Sequence, residues 1–597
     1  MPVAPPLAAL PIDEVLADVI RSLATTSNLV LKAPTGAGKT MRVAPALLSL
    51  AQVQGAVLLL EPRRVAARAA ARRIAFERGA TLGGEIGYHV RFDRKTSRST
   101  RLVAMTYGIF LRRLQEDPFL DGVGAVVFDE FHERSLDADL ALAMVRRTQQ
   151  EVRGELRLVV MSATLDAAPV SAFLGGAAVV ESKGRSYPVD VRHRDVVDER
   201  AILRSVEKER AVERAVATAV AGALDETPGD VLVFLPGVGE IRRARTALEG
   251  LAAARSLDLV ELYGDLPAEQ QDAVLRRGPR RKVVLSTNVA ESSVTIENIS
   301  AVVDSGLARV MRFDPRVGID RLELGRISRA SADQRTGRAG RTGPGICIRL
   351  WSAHDDRALR PTEEPEVRRV DLSRALLELR AWGEADTSAF GWFEAPEASA
   401  LAAAEALLAD LGALQGRGLS ALGRRLAALP LPPRIARLLL EGKRLGIARR
   451  AALAAALLTE RDPLRRGPGA AALRPTTAHE SDLLERVLLL ESFATSRSAG
   501  AELNVGAAHS VLRVAKELEA AVREADSVPS RGGEGDRPAR TAAAVDAEEA
   551  LLRSLLAAFP DRVAARRGDA APRSGAAAGD RGLMVGGRGV RLATESV

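Results

Sequence analysis

The segment Ala33-Pro-Thr-Gly-Ala-Gly-Lys-Thr40 gathers two glycines, a lysine and a hydroxyl within one short stretch. Gly36 and Gly38 permit backbone conformations and a close approach that a Cβ hinders, so the N–H groups of Thr35, Gly36, Ala37, Gly38, Lys39 and Thr40 can turn toward phosphate oxygens. Lys39 adds a point charge, and Thr40 a hydroxyl suited to Mg²⁺. A second group, Asp129-Glu-Phe-His132, follows the apolar run Ala125-Val-Val-Phe128. There Asp129 can hold Mg²⁺, directly or through water, and Glu130 can orient or deprotonate an attacking water. A third group, Gln334-Arg-Thr-Gly-Arg-Ala-Gly-Arg341, clusters cations far along the chain. A phosphate cradle matched by a distant arginine cluster predicts an ATP-driven machine with a closing cleft.

These groups need rigid elements to hold them. Leu29 to Lys32 reads as the end of an apolar strand and Met41 to Leu50 as a helix, the strand-to-helix context that a phosphate loop requires. Asp129 falls at the C-terminal end of a β-favouring run, where ligands sit in open α/β sheets. From about residue 25 to 350, strand patterns alternate with helical ones, which signals parallel sheets of βαβ units. The predicted fold class is therefore α/β.

Composition agrees. A chain of 597 residues exceeds one core, and about four domains is the prior. A hydrophobic content of 47% with 27% charged residues describes a soluble globular chain. The net charge of +8 suits a polyanionic partner, while only 3% aromatics argues against base stacking as the main binding device. The single cysteine, Cys347, excludes an intrachain disulfide and a Cys₄ metal site, and its neighbours Ile346 and Ile348 suggest a strand core. The six histidines are scattered, so no structural metal is expected. No uncharged stretch approaches the ~18 residues of a membrane helix and no leader pattern opens the chain, so the expectation is a cytoplasmic location.

In order along the chain, Asp129-Glu-Phe-His-Glu-Arg-Ser-Leu136 and its companions resemble the DEAH-box helicases of superfamily 2, bacterial HrpB type. The companions are Glu61-Pro-Arg-Arg64 (motif Ia), Ser162-Ala-Thr164 (III), Val231-Leu-Val-Phe-Leu-Pro-Gly-Val-Gly-Glu240 (IV), Ser286-Thr-Asn-Val-Ala-Glu-Ser-Ser-Val-Thr295 (V) and the Gln334 to Arg341 cluster (VI). The resemblance covers roughly residues 10 to 597. Two positions depart from DEAH relatives generally: Phe131 stands where they have alanine, and Tyr107 where an acidic residue is usual. Phe131 fits the HrpB type and is expected to pack rather than react.

The resemblance implies two tandem RecA-like P-loop domains, 1–185 (motifs I to III) and 186–358 (motifs IV to VI). A β-hairpin at 309–322, turning at Asp-Pro-Arg-Val-Gly, sits where the family carries its strand-separating hairpin. A winged-helix-like region, 359–430, and a helical ratchet-like region, 431–524, follow. Asp371 to Trp382 and Glu397 to Leu411 read as amphipathic helices, with a Gly416-Arg-Gly418 turn behind them. Gly, Pro and mixed charge at 525–540 read as a flexible connector. Residues 541–597 look like the opening of an OB-fold with too few strands to close it. Either the chain is a fragment or its last segment packs elsewhere.

For the site, the resemblance implies that Glu130, helped by Gln334, activates water and that Arg338 and Arg341 contact the γ-phosphate from the second domain. His132 couples motif II to Gln334, and Ser162 and Thr164 pass the change to the nucleic-acid side. Arg63, Arg64, Thr106, Gly237, Thr287 and Asn288 match positions that grip one strand. None of them is arranged to read base edges, so binding is sequence-nonspecific. The expected enzyme is an ATP hydrolase and helicase moving 3′ to 5′ on single-stranded nucleic acid, with RNA the family default. The alternative class is a nucleotide-dependent remodelling switch or binding scaffold that does not unwind.

Overall fold

The computed structural model describes residues 9–91, 93–164, 166–184, 187–196, 206–264, 266, 268–291, 296–314, 319–429, 431–460, 462–464, 481–496, 503–525, 546–566, 581–585, 587 and 589–591. The chain divides into two compact units, Met1–Asp371 with Gly391–Glu397, and Leu372–Phe390 with Ala398–Val597.

Two sheets build the first unit. Its first sheet comprises β1 (Asn28–Lys32), β2 (Ala56–Glu61), β3 (Ile86–Val90), β4 (Asp93–Lys95), β5 (Leu102–Thr106), β6 (Val123–Phe128), β7 (Arg157–Ser162) and β8 (Ala178–Glu181). They lie in the order β4-β3-β5-β2-β6-β7-β1-β8, and every pairing is parallel except β3 with β4. Parallel sheets are covered on both faces, which is why β6 is a continuous apolar run buried at every position. On one face, helices Asp13–Thr25, Lys39–Leu47 and Arg64–Glu77 pack Val19, Leu23, Val43, Leu47, Ala67, Ala71 and Ile74 against Leu29, Leu31, Val57 and Leu59.

Strand order and register decide which motifs meet. Lys32 pairs with Ser162, Phe128 with Val160, Leu60 with Phe128 and Glu61 with Thr106. The segments leaving β1, β2, β5, β6 and β7 therefore emerge side by side at one edge, although they are spread over more than a hundred residues of chain.

The second sheet contains β9 (Val189–His193), β10 (Asp230–Phe234), β11 (Asp258–Leu262), β12 (Lys282–Ser286), β13 (Ile299–Asp304) and β16 (Gly345–Arg349), in the parallel order β11-β12-β10-β13-β16-β9. Cys347 lies buried in β16. Two RecA-like sheets thus form the α/β part of the fold. Between β13 and β16, β14 (Leu307–Asp314) and β15 (Ile319–Arg326) pair antiparallel from Leu307↔Arg326 to Asp314↔Ile319, so the ladder reaches beyond 309–322 at its base. The anticipated turn residues 315–318 lie outside the described residues.

The second unit is mainly helical: Ser373–Trp382, Ala398–Asp410, Ala421–Ala427, Pro433–Arg444, Ala448–Thr459, Asp482–Ser496, Val505–Ala525 and Ala547–Ala558. Leu414–Gln415 pairs with Gly418–Leu419 around Gly416, whose φ of 58° is the left-handed turn conformation. A three-stranded antiparallel sheet joins Ala564–Arg566, Arg581–Met584 and Gly589–Arg591. The anticipated connector lies outside the described residues from 526 onward. No helix among the described residues is long and apolar enough to cross a membrane.

Candidate active site

Gly36 and Gly38 sit at φ 88° and 91°, the left-handed region that glycine enters without Cβ strain. Gly38 is the residue from which helix Lys39–Leu47 starts, and a Cβ there would lie 2.6 Å from Leu10 Cδ1. Ile12 N donates to Ala37 O at 3.0 Å, which pins the loop from the N-terminal side. Lys39 then projects inward: its Nζ is 3.1 Å from Glu130 Oε1 and 3.9 Å from Asp129 Oδ1, and all three side chains are buried. Thr40 Oγ1 donates to Asp129 Oδ2.

Electrostatics separate the two carboxylates. Burial works against the charge of Glu130, but the Lys39 ammonium outweighs it and holds this carboxyl down at about 2. Burial, reinforced by the charge of Glu130, pushes Asp129 up to about 6. Lys39 itself is raised, because Glu130 and Asp129 overcome its own desolvation. Glu61, buried at the end of β2, is raised well above the carboxylate range by burial and by the same two acids. One ammonium thus faces a surplus of buried oxygens. A hydroxyl beside an oxygen-rich carboxylate cluster is a donor set suited to a hard cation such as Mg²⁺, and Glu130 Oε2, buried without a hydrogen-bond partner, keeps acceptor capacity.

The turn that carries these acids is strained. Glu130 and Arg134 both take φ 49°, and between them lies the single 3₁₀ turn Phe131–Glu133. Such non-glycine residues cost about 1–3 kcal/mol each and persist only where their surroundings over-determine them. Tyr107 is one such restraint, since its buried hydroxyl donates to Asp129 O at 2.6 Å. Phe131 is fully buried and packs, as its type suggests.

From Glu130 a polar chain runs toward the second sheet. His132 Nδ1 stands 3.4 Å from Glu130 Oε2 and accepts from Ala163 N at 3.5 Å. Gln334 Nε2 donates at 3.2 Å to the Oγ1 of Thr164, which stands two residues beyond the buried Ser162. The connection between His132 and Gln334 therefore passes through the Ser162-Ala-Thr164 segment rather than directly between the two side chains.

The arginine cluster comes from helix Arg329–Thr336 and the loop behind it. A Cβ at Gly36 would lie 3.3 Å from Arg341 Nε, so this guanidinium rests against the phosphate loop of the other sheet. Arg338, 4% exposed, donates through Nε to Glu291 O at 3.0 Å. Burial lowers both guanidinium groups, Arg341 to about 10, and Arg338 is pushed further by the charge of Arg341. Paired cations held in this way are relieved by a polyanion. Arg335 serves the frame instead. Buried at 1% exposure, it bridges Glu291 and Asp304 at 2.8 and 2.9 Å and lies over Phe234.

The expected strand-facing residues are not alike. Arg64 and Asn288 are exposed, Thr106 and Thr287 half-buried, and Gly237 buried where Arg309 of β14 lies against it. Arg63 is engaged within the protein: Nη1 donates to Asn288 O at 2.9 Å, and Nη2 lies 3.3 Å from Glu133. Glu61, Glu133, Glu291 and Arg335 are further charged residues of the site. Only Glu61, which closes the otherwise apolar strand β2, carries a signal of its own in the sequence.

Comparison with known proteins follows the same division. Residues 14–173 match the DEAD/DEAH box helicase family and residues 208–343 the helicase conserved C-terminal domain. The chain is 42% identical over 456 residues to ATP-dependent RNA helicase HrpB of Escherichia coli (strain K12), covering 76% of this chain and 55% of that protein. It is 37% identical over 465 residues to ATP-dependent RNA helicase HrpA of the same organism, covering 76% of this chain and 35% of that protein. It therefore spans about half or less of the length of these curated relatives. A crystal structure of Escherichia coli DEAH/RHA helicase HrpB matches it with a TM-score of 0.76 at 37% identity, over 99% of this chain and 67% of that one.

Proposed function

Because this chain belongs to the DEAD/DEAH box helicases, HrpB type, we propose that it is an ATP hydrolase that drives a helicase cycle on single-stranded RNA in the cytoplasm, moving 3′ to 5′. The observation that carries the reading is the contact of Arg341 with Gly36, which brings cations of the second sheet onto the phosphate loop of the first.

ATP binds between the sheets, its phosphates on the backbone amides of Thr35 to Thr40 and on Lys39. There the phosphates take over the ammonium that Glu130 now holds. Thr40 and Asp129 would hold Mg²⁺, which supplies positive charge to the phosphate oxygens as the terminal bond breaks. Glu130, released from Lys39, accepts a proton from the attacking water, with Gln334 orienting that water. Arg338 and Arg341 stabilise the charge that develops on the γ-phosphoryl group, an effect worth roughly 10³ to 10⁵ in rate for such fingers.

Hydrolysis removes the ligand that the arginines grip, so contact across the cleft differs between ATP and ADP. That difference is what makes the cleft a two-state element. The Thr164–Gln334 bond and the His132–Ala163 contact supply a route from Glu130 to Ser162 and the strand side. Arg64, Thr106, Thr287 and Asn288 grip the sugar-phosphate backbone, while Arg63 bridges Asn288 and Glu133 and Gly237 lies under Arg309.

ATP turnover titrated with poly-RNA and with single-stranded DNA of matched length, alongside strand displacement from a 3′-tailed duplex, tests this. Stimulation by RNA with displacement is the expected result. Stimulation without displacement indicates the remodelling switch, and turnover indifferent to any strand overturns the reading.

A further inference from the structure

The Glu130 turn is held from behind by residues that the reaction does not use. Phe131 packs edge-on against Phe128, with centroids 6.2 Å apart, and against Phe393 at 5.5 Å. Phe393 in turn packs on Phe173 at 5.2 Å and lies beneath the Arg134 guanidinium, whose Cζ is 4.6 Å from the ring centroid. Next to it, Glu394 accepts from Arg134 Nη2 at 2.7 Å and pairs with Arg368 Nε at 2.5 Å. Arg134 is also forked onto the buried Asp139 at 3.0 and 2.9 Å. Glu366 completes the grip: its N donates to Arg134 O at 3.0 Å, and its Oε2 accepts from Leu136 N at 2.9 Å.

Chain connectivity gives this grip a direction. Residues Gly391–Glu397 belong to the first unit, while Leu372–Phe390 before them and Ala398–Val597 after them belong to the second. Glu366 and Arg368 stand just before the first departure, and Phe393 and Glu394 lie in the stretch Gly391–Glu397 that returns. The loop bearing Glu130 is thus tied to both sides of the excursion, and its two left-handed residues need external restraint to persist.

We propose that Phe393 and Glu394 are positioning residues that clamp the Phe131–Arg134 turn and transmit the state of the second unit to Glu130, so that they set strand-stimulated rather than basal hydrolysis. This rests on the function proposed above. A strand-dependent displacement of residues 372–390 or 398 onward pulls on the clamp, and the turn delivers that pull to Glu130. ATP binding does not involve Phe393 or Glu394, whose ring contacts and ion pairs run to Phe131, Phe173, Arg134 and Arg368.

The test uses the full chain with Glu394→Gln, which keeps size and removes charge, Glu394→Asp, which restores the charge, and Phe393→Leu, which keeps apolar volume. Steady-state ATP turnover is measured with and without poly-RNA. Basal kcat and KM for ATP should stay within about twofold of wild type, as expected where no transition-state contact is lost. The RNA-stimulated increment should fall at least roughly fivefold in Glu394→Gln and Phe393→Leu, the low end of ordinary coupling between sites, and recover in Glu394→Asp. An intact increment overturns the proposal, and so does a basal and stimulated rate falling by one common factor. A wild-type chain that RNA does not stimulate removes the function proposed above and this inference with it, an outcome visible before any variant is made.

Discussion

Lys39 Nζ lies 3.1 Å from Glu130 Oε1 with both side chains buried, so the cation of the Gly-rich loop and the carboxylate of the neighbouring strand end neutralise each other. Breaking a buried pair by removing one partner costs more than the pair itself contributes, because the other charge stays desolvated. The same contact keeps Glu130 ionised.

Replacing either partner should therefore separate binding from chemistry. Lys39→Ala is expected to abolish hydrolysis and to destabilise the nucleotide-free protein by roughly 3–5 kcal/mol, the range for an orphaned buried charge. Glu130→Gln should still bind ATP while turnover drops by about 10² to 10⁴, the usual contribution of a general base. A quenched steady-state assay alongside ATP titration decides this, and near-normal turnover in Glu130→Gln would remove Glu130 as the base.

Arg341→Ala addresses closure. Because this guanidinium reaches Gly36 from the other sheet, its loss should leave ATP affinity mostly intact and slow hydrolysis by about 10³ or more, on the order of 4 kcal/mol of transition-state stabilisation. ATP affinity and RNA-stimulated turnover measured on the same variant give the answer. Unchanged turnover would remove Arg341 from the reaction.

Asp129 sets a pH dependence of stability. Its carboxyl is raised from the ordinary 3.8 to about 6, so the folded chain binds this proton more tightly than the unfolded one. Stability from this group is therefore highest below pH 4 and falls as pH rises through 6, by at most about 3 kcal/mol at 1.36 kcal/mol per unit. Glu130 has the opposite sign, since its stabilisation is full above about pH 4.5 and lost only toward pH 2. Urea melts of metal-free protein between pH 4 and 7 should thus show a decline that Asp129→Asn flattens. Equal slopes in both proteins would contradict the raised carboxyl.

Arg335 tests the frame rather than the chemistry. Truncating it to alanine leaves the fully buried Asp304 without its guanidinium, and a loss of roughly 3–5 kcal/mol is expected. Arg335→Lys should recover only part of that, because an ammonium cannot fork between Glu291 and Asp304. Thermal melts of the two variants provide the comparison, and a Tm unchanged in Arg335→Ala would mean the pair contributes nothing.

Much of the site is legible in the amino-acid sequence, and for a local reason. A phosphate loop is a backbone conformation encoded by glycine positions and the lysine that follows, and an acidic pair at the end of an apolar run is placed by its own strand. Thr35 to Thr40, Asp129, Glu130 and the spacing of Arg338 and Arg341 need nothing from elsewhere in the chain. The hairpin ladder and the helices Ser373–Trp382 and Ala398–Asp410 are likewise carried by periodicity and turn residues, to within a few positions at their ends. What only the tertiary structure decides are the pairings between distant segments: Lys32 beside Ser162, Tyr107 on Asp129 O, Arg63 between Glu133 and Asn288, and Phe393 and Glu394 on Arg134. Periodicity reports which face of an element is apolar but not which element covers it, and strand order is set by packing energy summed over the whole sheet. A side chain such as Arg63 therefore carries one charge in the sequence, and its partner is chosen only when the two sheets meet.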